Sequence, residues 1–200
     1  MINKNWAVLT VLTIVCVAAC TPGAAQPTPP TATSGPHTDP TTPTAQSTAP
    51  PVSKPLDAST MIAAPCTALT GANVRSLHIV NASAHSAASS GAPTACVWSG
   101  DGGGGISIGW QTANPHGLSD LYAKAATIAY WQPTTVAGYP AAYGDTISDG
   151  RSQGDCVLDT AVSDQTYFIS QFDNPLDPNH ACILAEQAAQ DVIANLQGAS

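Results

Sequence analysis

Between Thr21 and Asp57 the chain excludes itself from any core. This stretch holds ten of the seventeen prolines and nine threonines, with no aromatic residue and almost no large aliphatics. Such a segment cannot bury enough apolar area to offset the entropy of ordering it, so it is expected to stay extended and partly polyproline-like. Fully extended at roughly 3.1 Å per residue, it reaches on the order of 110 Å. Folding is thereby confined to Ala58–Ser200. A segment of that length makes one domain, buries roughly two-thirds of its unfolded surface and needs no metal to fold.

Ahead of this spacer, Met1–Trp6 carries one cation, Lys4, followed by the apolar run Ala7–Ala19, broken by two threonines. The run is too short to span a hydrocarbon core of ~30 Å and fits the apolar region of a signal peptide. It ends in Val17-Ala18-Ala19-Cys20, which resembles the lipobox of bacterial lipoproteins, where the cysteine thiol receives diacylglycerol. The resemblance implies a signal peptide over 1–19, an acylated Cys20 with its tether over 20–57, and an extracytoplasmic domain over 58–200. The expected partner of Cys20 is the membrane. Two or more acyl chains anchor stably, since each buried methylene contributes ~0.8 kcal/mol.

Cys66, Cys96, Cys156 and Cys182 form an even set in an exported chain and read as two disulfides. A zinc site wants close pairs, and here no two are nearer than 26 residues. Of the three possible pairings the local one is expected, Cys66 to Cys96 and Cys156 to Cys182. It closes loops of about thirty residues, which the chain-entropy model credits with roughly 3 to 4 kcal/mol each. It would pin the first helix to the first hairpin and the last helix to the late strands.

The formal charge of -8 persists in the domain, where Arg75, Lys124 and Arg151 face eleven acids. That surface repels phosphate backbones, so nucleic acid is excluded as a partner.

The pattern predicts a short helix after Thr70, which can cap it, with Leu69, Val74 and Leu77 inward. Ile79–Ala95 is small and polar and reads as a loop. Cys96–Ser99 and Ile106–Trp110 flank a glycine turn as a hairpin, and Leu118–Ala129 follows at helical spacing. Thr134–Ala137 with Ala141–Thr146, and Cys156–Val162 with Thr166–Phe172, form two further strand pairs. The last helix is expected to start at Asp177 as N-cap with Pro178 in the first turn, carrying Cys182, Ala185, Ala189, Val192 and Leu196 on one stripe. The order α-ββ-α-ββββ-α gives an α+β domain, an antiparallel sheet with helices packed on it.

The lipobox, the Pro/Thr tether, Pro65-Cys66 leading into Leu69-Thr70, Cys96-x-Trp98, Val136-x-Gly138-x-Pro140-Ala141, Asp155-Cys156 and the closing Cys182 helix resemble actinobacterial, especially mycobacterial, lipoproteins of the LprB-like family. The resemblance spans about Ala63–Leu196 and implies an envelope location, paired cysteines and a domain of unknown function. Asn179-His180-Ala181-Cys182 departs from it, since relatives put the cysteine nearer the proline.

No catalytic constellation assembles from the residues. Gly105-Ile106-Ser107-Ile108-Gly109 matches G-x-S-x-G, but a nucleophile elbow needs a sharp turn and a helix after the serine, whereas Ser107 sits inside an alternating strand. Gly100, Gly102 and Gly105 satisfy G-x-G-x-x-G without a helix start to receive a phosphate. Asp173, Asn174, Asp177 and Asn179 lack the glycine and glutamate of a calcium loop. His78, His85, His116 and His180 are never spaced i, i+4. Neither a metal nor a cofactor is expected. Trp98 and Trp110 read as core. Trp131, Tyr139 and Tyr143 cluster around the second strand pair and are the candidate binding surface for an envelope ligand or protein. The expected function is a membrane-anchored, non-enzymatic binding domain; the alternative is an envelope hydrolase or a hydrolase inhibitor.

Overall fold

The computed structural model describes residues 48–89, 92–101 and 103–198. The expected signal peptide, Cys20 and the expected tether as far as Ser47 lie outside them. Among the described residues the elements run α1 (Ser59–Ala63), α2 (Gly71–Ser76), β1 (Ser83–Ser89), β2 (Ala92–Ser99), β3 (Gly105–Gln111), α3 (Ser119–Tyr122), β4 (Tyr130–Val136), β5 (Tyr139–Asp145), β6 (Asp155–Ala161), β7 (Tyr167–Asp173) and α4 (Ala181–Leu196), with 3₁₀ turns between several of them. The strands pair antiparallel into one sheet in the order β1-β2-β3-β7-β6-β5-β4. Two meanders meet where β3 pairs with β7. The expected α+β class and antiparallel sheet with packed helices are present.

The pleat sorts side chains by period two. One face carries Ile106, Ile108 and Trp110 of β3, Leu158 of β6 and Phe168 and Phe172 of β7, all buried. Trp110 and Phe168 stand opposite each other in register with ring centroids 5.3 Å apart. α4 covers this face with Ala181, Ala185, Ala188, Ala189 and Val192. The Ser170 hydroxyl of β7 donates to the Ala185 carbonyl at 3.0 Å, so a polar group in the core is satisfied rather than stranded. α2 starts with a capping box: Thr70 Oγ1 accepts from the Asn73 amide, and the Thr70 amide donates to Asn73 Oδ1. Leu69, Val74 and Leu77 are buried as expected.

Both disulfides form with the local pairing, Cys66–Cys96 and Cys156–Cys182. The first ties the 3₁₀ turn Pro65–Thr67 to β2, and the second ties β6 to α4.

Four expectations need correction. Ile79–Ala95 is not wholly loop: Ser83–Ser89 is an edge strand, paired with β2 through Ala84 opposite Trp98 and Ser86 opposite Cys96. Its Ser/Ala sequence has no apolar alternation to read, and the partner strand decides its state. The helix expected over Leu118–Ala129 stops at Tyr122, because the chain from Tyr130 is claimed by pairing with β5, beginning at the Ala129 amide on the Asp145 carbonyl at 2.9 Å. Asp177 does not cap the last helix with its side chain; its carboxylate takes His180 Nδ1 at 2.8 Å, and α4 starts at Ala181 after a 3₁₀ turn. Finally, folded structure reaches back before Ala58. Val52 is buried, its amide donates to Asp164 Oδ1, the Leu56 amide donates to the Val162 carbonyl, and the Ala49 amide donates to Ser119 Oγ. Three prolines in this strap leave its remaining amides available for those bonds.

Candidate functional site

The second face of the sheet is not covered by α4. Across it lie Gln111 of β3, Tyr167, Ile169 and Gln171 of β7, Asp155, Val157 and Asp159 of β6, Gly144 of β5 and Trp131 of β4, neighbours by register. Two connections rise over this floor, the segment with Leu121 and Ile128 between β3 and β4 and the loop Asp145–Ser148 after β5. Together they enclose a cavity of about 540 Å³.

Small side chains make the room. Gly144 stands opposite Trp131, and a Cβ there would meet the indole at 2.7 Å. The glycine therefore lets the Trp131 ring lie across β5. Tyr122 of α3 meets that ring edge-on with centroids 5.1 Å apart, which fixes its plane. At the rim Ile147 is 89% exposed, a large apolar side chain left in water at the mouth of the cavity.

Three carboxyls line the cavity, Asp145, Asp155 and Asp159, and no Lys, Arg or His does. Asp159 is 5% exposed in the middle of β6. Burial, with the charge of Asp145 added, pushes its acid up to about 8, and no donor or cation among the described residues offsets that. Asp155 is also raised, chiefly by burial, although Gln171 Nε2 donates to it at 2.8 Å. Asn114 Nδ2 donates to the Tyr167 hydroxyl at 2.9 Å, and burial raises that phenol. Asp145 Oδ1 accepts from the Ile147 amide at 2.7 Å, which holds the rim loop. Among the described residues no group of three or more His, Cys, Asp or Glu is placed to hold a metal ion. A smaller hollow on the same face, lined by Ser107, Gly105, Val97 and Asp173, shares Gln171 with the first.

A family model for proteins of unknown function, DUF3558, matches residues 15–195. The chain belongs to the DUF3558 family. No curated protein and no solved structure matches it.

In this DUF3558 chain the three aromatics singled out from the sequence do not form one surface. Trp131 faces the cavity. Tyr139 and Tyr143 point to the opposite, helix-covered face, where Tyr139 is 6% exposed and donates to the Lys54 carbonyl at 3.0 Å. Tyr143 is half-buried and donates to Glu186 of α4 at 2.8 Å. Strand alternation separates them, since odd positions of β4 and odd positions of β5 lie on opposite faces in this register. Ser107 is 8% exposed inside β3, with strand on both sides of it. His116 and His180 pair with Asp120 and Asp177 at the surface. Among the described residues no helix is long and apolar enough to cross a membrane.

Sequence reasoning misses the carboxyls of the cavity because no motif groups them. One signal is present: Asp159 interrupts Val157-Leu158-Asp159-Thr160-Ala161, and an otherwise apolar strand has no ordinary use for a carboxylate.

Proposed function

We propose that this DUF3558 protein is an envelope lipoprotein, anchored by acyl chains on Cys20 at the outer face of the cell membrane, whose domain captures a ligand without catalysing a reaction. Within the family we place it with the actinobacterial LprB-like lipoproteins that its lipobox and cysteine pattern resemble. The observation that carries the binding role is the cavity of about 540 Å³ between the open sheet face and its two connections, with Trp131 and Ile147 at hand and buried polar groups on its floor. Size, mixed lining and position beside a rigid sheet suit a small-molecule site. The hydrolase alternative gains nothing from Ser107, which lacks the turn that would present it as a nucleophile.

The test is to isolate the full chain from native envelope and identify small molecules released on denaturation by mass spectrometry. A Val157→Trp variant, which fills the cavity from its floor, is the comparison. The expected result is a compound carried by the unaltered protein and absent from a variant that still melts cooperatively. Equal loading of both would overturn the site.

A further inference from the structure

We infer that the cavity takes an organic ammonium ion, a protonated amine on an apolar or aromatic body, with the amine among Asp145, Asp155 and Asp159 and the body against Trp131. This rests on the ligand-binding role proposed for the same cavity and names the ligand's class.

Charge decides the sign. Three carboxyls line the cavity with no Lys, Arg or His among the lining residues, so the lining offers counter-ions to a cation and none to an anion. Geometry decides between a metal ion and an organic cation. The carboxyls are spread along β5 and β6 rather than converging, and no group among the described residues is placed to coordinate a metal. A metal ion needs several acceptors converging on it, whereas an ammonium is satisfied by one or two of them at N–H···O lengths of about 2.8 Å. Asp159 supplies the independent pointer: it is 5% exposed, lines the cavity, and no donor from the described residues compensates its burial. A buried carboxyl without a partner is costly, and an incoming N–H supplies what the fold leaves out.

The rest of the lining suits the other end of such a molecule. Leu121, Ile128 and the Trp131 ring give the same lining apolar side chains, and Ile147 adds one at the rim. An indole face also attracts a cation, so an ammonium close to Trp131 loses nothing on that side.

The experiment uses benzylamine, benzyl alcohol and benzoate as probes of nearly equal size, titrated into the purified full chain by calorimetry, with the summed fluorescence of the four tryptophans, of which Trp131 lines the cavity, as a second readout. Benzylamine is expected to bind saturably and at least about tenfold more tightly than benzyl alcohol, with no binding of benzoate, the gap of one charge-assisted hydrogen bond. Asp159→Asn, which keeps the shape but cannot give up a proton to become the ammonium's counter-ion, should weaken benzylamine about tenfold and leave benzyl alcohol unchanged. Asp155→Asn serves as the second variant should the first fold poorly, with the same expectation. Equal binding of amine and alcohol, or undiminished amine binding in both variants, would overturn the ammonium assignment. Should no probe bind while the native protein still carries a compound that Val157→Trp loses, the cavity keeps its role and the ammonium class is wrong.

Discussion

The Tyr143 hydroxyl of β5 donates to the Glu186 carboxylate of α4 at 2.8 Å, so a ring that looks like surface in the sequence is a fastener between sheet and helix. Burial, the Glu186 bond and the Glu186 charge all raise the phenol, so it stays protonated as the donor at any ordinary pH. Tyr139, four residues earlier on the same strand face, does the same for the N-terminal strap through the Lys54 carbonyl. Both hydroxyls are thus engaged within the domain.

Tyr139→Ala is therefore expected to destabilise by about 3 kcal/mol or more, through loss of a buried aromatic. Tyr139→Phe should lose only the hydrogen bond, about 1 kcal/mol. Urea denaturation followed by circular dichroism measures both, and an unchanged midpoint for the alanine variant would mean that the ring is not part of the core.

Asp159 gives the stability a distinctive pH dependence. Its folded acid lies at about 8, above the ordinary value of 3.8, so between those values the folded state holds a proton that the unfolded state has released. The sign follows: stability from this group is complete below about pH 4 and is lost as pH rises toward and through 8. Asp155 is raised too and acts in the same direction. Melting temperatures should fall between about pH 5 and about pH 8.5, and Asp159→Asn should flatten that fall and be the more stable protein at the alkaline end. A wild-type curve that rises across the interval would contradict the burial of Asp159 in an acidic cavity.

What the sequence makes legible is the part governed by large side chains. The β2–β3 hairpin, the β6–β7 pair and the stripe of α4 are visible because Trp98, Ile106, Phe168 and Val192 recur at the right periods. Both disulfides are visible from their spacing. β1 is not, since Ser83-Ala84-His85-Ser86-Ala87 has no preference strong enough to compete with its neighbours. The cavity is not visible either. It depends on Gly144 leaving room for Trp131 and on α3 ending at Tyr122, both set by the pairing of β4 with β5 over the length of the strands. Face assignment is where the residue-level reading fails: with a period of two, one position of register decides whether Tyr139 meets water or Lys54.

The two disulfides close loops of similar separation, 30 and 26 residues, yet they tie different elements. Replacing both Cys156 and Cys182 by Ala should cost about 2 to 5 kcal/mol, and α4 should be the first element to exchange its amide hydrogens. Hydrogen exchange with mass spectrometry locates the loss. Uniform deprotection across the sheet would show that α4 does not open separately.

For anchoring, Cys20→Ser is expected to abolish incorporation of labelled palmitate and to release the protein from the membrane fraction. Continued labelling of that variant would refute acylation at this cysteine.

The strap between Ala49 and Leu56 fastens to the domain through three of its amides. Ala49 is held by Ser119 of α3, Val52 by Asp164 and Leu56 by Val162. Two residues beyond Ser119, Leu121 walls the cavity. The strap and the wall of the pocket thus share one anchorage, so a cut between Leu56 and Ala58 would be felt at Leu121 as well as at Val162.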